Sequence, residues 1–247
     1  MEINPLRLSR RFRNMTCGFA MLIALGVAWA QQQPSQTQNS DELQHILSRL
    51  DQTAAEFRNA KADFAWDQYH KVVDEHDFQK GTIYFRRVGN ELQMAADIAD
   101  PQPPKYVLYT DSKVQVYSTK VDEVDTYNTG KDRATIESFL VLGFGGSGKD
   151  MLKSFDVKYM GHEKIDGTDT VKLELVPKSD KVRNTFDHIW LWIDPTLGVS
   201  VQQQFFEPAS GDYRLAKYSN IQLHQRIPDS VFKLKTTPKT KFVSPQG

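Results

Sequence analysis

The spacing of apolar positions along the chain changes character more than once. Leu43, Ile46, Leu47, Leu50, Ala54 and Phe57 recur at intervals of three and four, which predicts an amphipathic helix over residues 41–58. Asn39-Ser40-Asp41-Glu42 stands before it with the pattern of a capping box and with acids where a helix dipole favours them. From Ala62 onward the period becomes two. Phe64 and Trp66 alternate with Asp63 and Asp67; Ile83, Phe85 and Arg87 with Tyr84 and Arg86; Leu92, Met94, Ala96 and Ile98 with Glu91, Gln93 and Asp97. These are antiparallel strands with one apolar face each, and Gly89-Asn90 marks a tight turn between two of them.

After the prolines at 101, 103 and 104, residues 106–109 and 113–118 predict a hairpin around Asp111-Ser112, followed by a strand over 121–127. Ile136, Phe139 and Leu140 then share a helical face, Gly143 to Gly148 stops it, and Met151, Leu152 and Phe155 predict a short second helix or turn. Strands return over residues 155–164, 169–176, 188–194, 199–206 and 213–221, punctuated by Gly167, Pro195, Gly198 and Ser210-Gly211-Asp212. The order helix, strands, helices, strands has no βαβ alternation and no fixed-period repeat. It predicts an α+β fold: a strongly curved antiparallel sheet, or incomplete barrel, whose concave apolar face is covered by the helical segments.

Ahead of this pattern Arg7, Arg10, Arg11 and Arg13 precede an uncharged run from Met15 to Ala30 that ends in Ala28-Trp29-Ala30. The run is shorter than the roughly 20 residues a spanning helix needs, so it reads as an export signal cleaved after Ala30. The expected organisation is a signal over 1–30, a flexible leader over 31–40 and one domain over 41–247, a periplasmic body released without an acyl anchor. The single cysteine, Cys17, lies inside the signal and ahead of its apolar run, so it is no lipoprotein acylation site and leaves the remainder without a thiol. With 31 basic against 31 acidic residues and no basic stripe, the chain carries no electrostatic signature of a nucleic-acid binder.

Candidate chemistry is sparse. Gly143 to Lys149 matches a phosphate-binding loop, but Asp150 stands where the motif needs Ser or Thr, and the loop follows a helix rather than a strand. We read it as a helix-terminating loop. Gly145-Gly146-Ser147-Gly148 resembles a nucleophile elbow and fails at Lys149. The six histidines lack ligand spacing, so neither metal nor cofactor is expected, and no carboxylate pair stands out as catalytic. Aromatic residues are concentrated in the strands, and Trp190 and Trp192 lie on the face opposite Ile189, Leu191 and Ile193. A sheet apolar on both sides suits either a sandwiched sheet or one whose concave face lines a greasy cavity. By alternation Arg87 joins Ile83 and Phe85, where a guanidinium needs acceptors to offset its desolvation.

Several segments together resemble the LolA family of periplasmic lipoprotein carriers. Phe57-x-x-Ala60-x-Ala62-Asp63-Phe64 follows the first helix, and Gly81-Thr82-Ile83-Tyr84-Phe85-Arg86-Arg87 resembles the strand bearing the family's cavity-closing arginine. Tyr109-Thr-Asp111-Ser-Lys113-Val-Gln-Val-Tyr117, Leu173-Glu-Leu-Val-Pro177-Lys178 and Val231-Phe232-Lys-Leu-Lys235 resemble three further elements in the same order. The resemblance implies a half-open barrel of about eleven strands, monomeric, with a helical lid. Its cavity would take lipoprotein acyl chains, here against Phe64, Trp66, Ile83, Phe85, Leu92, Met94, Leu108, Val116, Leu173, Leu191 and Phe205. The lid would present Leu43, Ile46, Leu47, Leu50, Ile136, Phe139 and Leu140. It implies hydrogen bonds from a gating arginine to the lid; Val88 follows where the family has proline, which leaves the gate to Arg86 or Arg87. The implied partners are an inner-membrane ABC-type releasing complex and an outer-membrane receptor, with only transient contact to membrane proteins. Two other classes remain open: a sensor or scaffold of the same shape that binds a regulatory partner, and a hydrolase working through Ser147 or a histidine.

Overall fold

A computed structural model describes residues 36–244 with the exception of Asn90. The expected export signal and the first half of the expected leader lie outside the described residues. Helix α1 (Gln36–Glu56) starts before the capping-box pattern, so residues 36–40 are helical rather than leader, and the Ser40 hydroxyl donates back to the Thr37 carbonyl at 2.7 Å instead of capping an end. Strands β1 (Asn59–His70), β2 (Glu75–Val88), β3 (Glu91–Asp100), β4 (Lys105–Thr110), β5 (Lys113–Ser118) and β6 (Glu123–Asn128) form one meander. After helices α2 (Arg133–Leu140) and α3 (Gly148–Ser154) come β7 (Phe155–Ile165), β8 (Thr168–Pro177), the single turn α4 (Asp180–Arg183), β9 (His188–Asp194), β10 (Val199–Phe206) and β11 (Tyr213–Leu223). The turns fall where the sequence places them: Gly89 has φ +59°, and Asp111 and Ser112 have φ +50° and +57°, the left-handed pair of a tight hairpin.

The two meanders join through antiparallel pairing of β1 with β11, with Phe64 opposite Tyr218 and Trp66 opposite Ala216. Among the described residues the sheet has twelve strands, the last in the chain being β12 (Lys241–Val243), in the order β12-β6-β5-β4-β3-β2-β1-β11-β10-β9-β8-β7. The strand beyond the expected eleven is β12, which runs parallel to β6. Asp122 anchors its approach by accepting hydrogen bonds from the Thr237 and Thr240 hydroxyls at 2.7 and 2.6 Å. The terminal strands β12 and β7 do not pair with each other, so the sheet is an open half-barrel rather than a closed one.

Its concave face carries two apolar clusters. Beneath α1, Ile46, Leu47 and Leu50 pack on β7–β9 through Phe155, Val171, Leu173, Leu175, Ile189, Leu191 and Ile193. On the other half, Phe57 and the inward residues of β1–β4 are covered by α2 and by Phe144 from the loop that follows it. A small third cluster lies on the convex side, where Phe232 and Ile227 pack on Ala95 and Leu108. Leu108 is therefore not a cavity residue: alternation along β4 sends Val107 and Tyr109 to the concave cluster and Leu108 to the opposite face.

Gly81 sits at a register shift between β2 and β3, where any Cβ would run into the Asp97 carbonyl oxygen. Gly81→Ala must push two paired strands apart, and we expect it to lower stability by about 1–3 kcal/mol, read as a drop in the urea midpoint.

Candidate functional site

The two concave clusters do not close over one another completely. At their seam lies an open cavity of about 480 Å³, floored by Trp66, Ile83, Phe85, Met94, Phe205 and Tyr218 and bordered by Phe139 and Leu140 of α2. Each floor residue follows from register: Met94 opposes Phe85 and Trp66 opposes Ala216, so alternation in neighbouring strands brings these side chains to one surface. Gln68 lies opposite both Asp77 and Arg214, with Gln79 next along β2, so these polar groups gather at one side of the cavity, while Gln203 is buried at the loop between α2 and α3. Phe139 comes down from α2 into a ring of aromatics, 6.0 Å from Phe155, 5.6 Å from Phe186 and 6.4 Å from Phe205. Such tilted and edge-on pairs help to hold α2 on the sheet.

Of the residues expected in the cavity, Trp66, Ile83, Phe85, Met94 and Phe205 line it. Phe64 and Leu92 are buried in the core beside it, and Leu173 and Leu191 lie beneath α1. Val116 is opposite Val107 across the β4–β5 ladder, outside both the lining and the buried clusters. The expected lid residues divide by helix: Leu43, Ile46, Leu47, Leu50 and Phe139 join one cluster, Ile136 and Leu140 the other.

The residues between α2 and α3 form a plug. Phe144, 1% exposed, stacks on Phe85 at 5.2 Å and meets Tyr218 edge-on at 4.9 Å. Its neighbours must be glycine because the loop is pressed onto the sheet. Gly145 has φ +81° with its Cβ position filled by the Phe57 ring, and a Cβ on Gly143 would strike Ser200. The Ser200 amide donates to the Gly143 carbonyl at 2.9 Å, and the Gln203 side-chain amide donates to the Leu142 carbonyl. Ser147 caps α3 by accepting from the Asp150 amide at 3.0 Å, and its hydroxyl donates to the Asp150 carboxylate at 2.8 Å. The Lys153 ammonium, followed by that hydroxyl, holds the Asp150 carboxyl below its ordinary range. The hydroxyl of the elbow-like motif is thus engaged in a helix cap.

The two candidate arginines part company. Arg86 points to the convex side, where it donates to Gln93 at 2.7 and 3.0 Å, pairs with Asp229 at 2.5 Å and lies 4.2 Å from the Phe232 ring centre. Arg87 reaches the plug loop and donates to the Gly145 carbonyl at 3.5 Å, a long bond from an exposed side chain. A firmer tie was not legible in the sequence. Tyr109 of β4, fully buried, donates to Glu137 of α2 at 2.8 Å, and Arg133 donates to the same carboxylate oxygen at 2.9 Å. Burial first, then the Glu137 hydrogen bond, pushes the Tyr109 hydroxyl up to about 12.

No protein-family model and no curated protein matches the sequence. Among solved structures, an uncharacterised conserved protein from Thermus thermophilus superposes with a TM-score of 0.53 at 10% identity over 83% of this chain and 99% of that one. MucB superposes with a TM-score of 0.50 at 12% identity over 82% of this chain, which spans 64% of MucB, less than two thirds of its length. A LolA superfamily protein from Nitrosomonas europaea is a looser match, with a TM-score of 0.40 at 15% identity over 78% of this chain and 97% of that one. The first two likenesses establish a shared fold. What the chain shares with them is an open, mostly antiparallel sheet covered by helices.

Tyr109 generates a prediction with a definite sign. Its folded pKa lies above the ordinary value near 10, so the unfolded chain gives up this proton first. The stability that the phenol contributes is complete below about pH 10 and is lost as pH rises through about 12. Tyr109→Phe should remove that alkaline component and loosen α2. The check is the urea midpoint followed from pH 8 to 12 in both proteins.

Proposed function

We propose that this protein is an exported, non-enzymatic carrier of acyl chains, which it holds in the cavity at the seam of the half-barrel. The observation that carries this reading is the cavity itself. Its volume of about 480 Å³ is within the usual range for small-molecule sites, its floor is aromatic and aliphatic, and most of its polar groups stand at one side. That distribution suits a ligand with an apolar body and a polar head. Burying an acyl chain yields about 0.8 kcal/mol per CH₂, enough for extraction from a membrane when a releasing machine assists. No covalent step is needed.

On this reading Phe144 occupies the space of a guest in the empty protein, and loading moves the glycine loop and α2 away from Phe85 and Tyr218. Arg87 is the gating arginine because it reaches the Gly145 carbonyl, whereas Arg86 is engaged on the convex face. Its single 3.5 Å bond makes it a weak latch, with Tyr109 and Glu137 as the stronger one. Periplasmic location follows from the export signal. The LolA resemblance supplies the partners: lipoproteins as cargo, an inner-membrane ABC-type complex as donor and an outer-membrane receptor as acceptor.

Ala216 lies between Trp66 and Gln203 and borders the cavity, so a larger side chain there takes up part of its space. Dansyl-undecanoic acid titrated into the protein should bind with saturation, and about tenfold more weakly to Ala216→Trp, the loss of about two buried CH₂ groups. Phe144→Ala should bind it more tightly. Absence of saturable uptake, together with no lipid in native mass spectra of protein taken from its own envelope, overturns the carrier reading.

A further inference from the structure

The convex face carries a feature that transport of an acyl chain does not use. His188, Phe206, Tyr213, Tyr69 and His76 are successive cross-strand partners on β9, β10, β11, β1 and β2, so their rings form one row perpendicular to the strands. Successive ring centres are 4.2, 6.4, 5.1 and 4.7 Å apart. Trp190 extends one end, 4.7 Å from Phe206, and Phe78 the other, 5.5 Å from His76 and 61% exposed. Four inter-strand gaps of about 4.8 Å give the row a length of roughly 19 Å, about six residues of extended chain.

Carboxylates stand behind the rings. Asp187 meets His188 at 2.8 Å, Asp74 accepts from the Tyr69 hydroxyl at 3.0 Å, and Asp67 meets His76 at 2.8 Å. Glu174 accepts from the Trp190 indole at 3.1 Å, and Glu163 from the Trp192 indole at 2.5 Å. A ring whose N–H or O–H donates to a carboxylate presents an electron-rich face in a negative field, which is a seat for a cation. One such seat is filled by the chain itself. The Lys172 ammonium lies 3.9 Å from the Trp190 ring centre and 4.7 Å from that of Trp192, with Glu163 at 2.9 Å. Among the described residues no lysine or arginine forms an ion pair with Asp67, Asp74 or Asp187. Along the rest of the row, Tyr69 donates to Asp74, and Asp187 and Asp67 stand beside His188 and His76, so rings and carboxylates again lie together as they do at the Lys172 seat.

We propose that this aromatic row binds an extended, arginine- or lysine-bearing segment of a partner protein, which lays its cations over the rings between Phe206 and Phe78. The occupant is assigned by charge complementarity and by the seat that Lys172 already fills. A neutral glycan needs no negative field, whereas the carboxylates beside these rings supply one. The surface is on the face opposite the cavity, so docking there and an acyl guest are compatible, and neither reading depends on the other.

Fluorescein-labelled hexa-arginine titrated with the full chain at low salt, read by anisotropy, should bind with saturation. The Phe206→Leu/Tyr213→Leu pair, which leaves the net charge unchanged, should bind about tenfold more weakly. Phe242→Leu, an exposed ring on β12 outside the row, should bind as the native protein does, and the uptake of dansyl-undecanoic acid should stay the same in all variants. Phe78→Leu, at a position with little packing, repeats the test if the double variant fails to fold, with an expected weakening of about threefold. The proposal is overturned by failure of the native protein to bind hexa-arginine, or by equal affinity with and without the rings. Preference for a neutral probe, chitotetraose, whose binding is lost in the ring variants, overturns it equally.

Discussion

One curved sheet with an apolar inner face must be covered, and the rest of the structure answers that requirement. The face is too broad for one helix. Helix α1 covers the half made by β7–β9 with Ile46, Leu47 and Leu50, while α2 and Phe144 cover the half made by β1–β4. The covers come from different parts of the chain, and beside α2 they leave the cavity open over Trp66, Phe85 and Phe205. An open half-barrel covered in two pieces leaves space that a single close-packed layer would not.

The glycine-rich loop belongs to this arrangement rather than to nucleotide chemistry. Residues 143–148 lie between two helices, and their glycines let a backbone with left-handed turns approach Ser200 and Phe57 closely enough to insert Phe144. The loop also bridges the two meanders. Phe144 touches Phe85 of the first, while Gly143 and Leu142 accept hydrogen bonds from Ser200 and Gln203 of the second. Opening it therefore affects both halves of the sheet together.

The convex side follows a different logic. Outward residues of a solvated sheet are ordinarily polar, yet here β9, β10, β11, β1 and β2 align their aromatics in register and back them with carboxylates. The inner face buries its rings against one another and against aliphatic neighbours. The outer face leaves its rings partly open, beside a lysine that has already settled between two indoles.

The sequence by itself determined most of the elements and many of their faces. Period-two alternation grouped the inward residues of β1, β2 and β3, and the helical period identified Ile46, Leu47 and Leu50 as a covering stripe, because both signals depend only on local geometry. It placed Arg87 with Ile83 and Phe85 for the same reason. Local pattern says nothing about which elements meet. The pairing of β1 with β11, the convex placement of Leu108, the Tyr109–Glu137 tie and the alignment of five aromatic residues from five strands depend on register between segments far apart in the chain. Phe144 is the clearest instance: in the sequence it interrupts a run of glycines, and only the concave surface it enters makes it a plug. Those features were decided by tertiary structure, since a long-range contact has no periodicity to betray it.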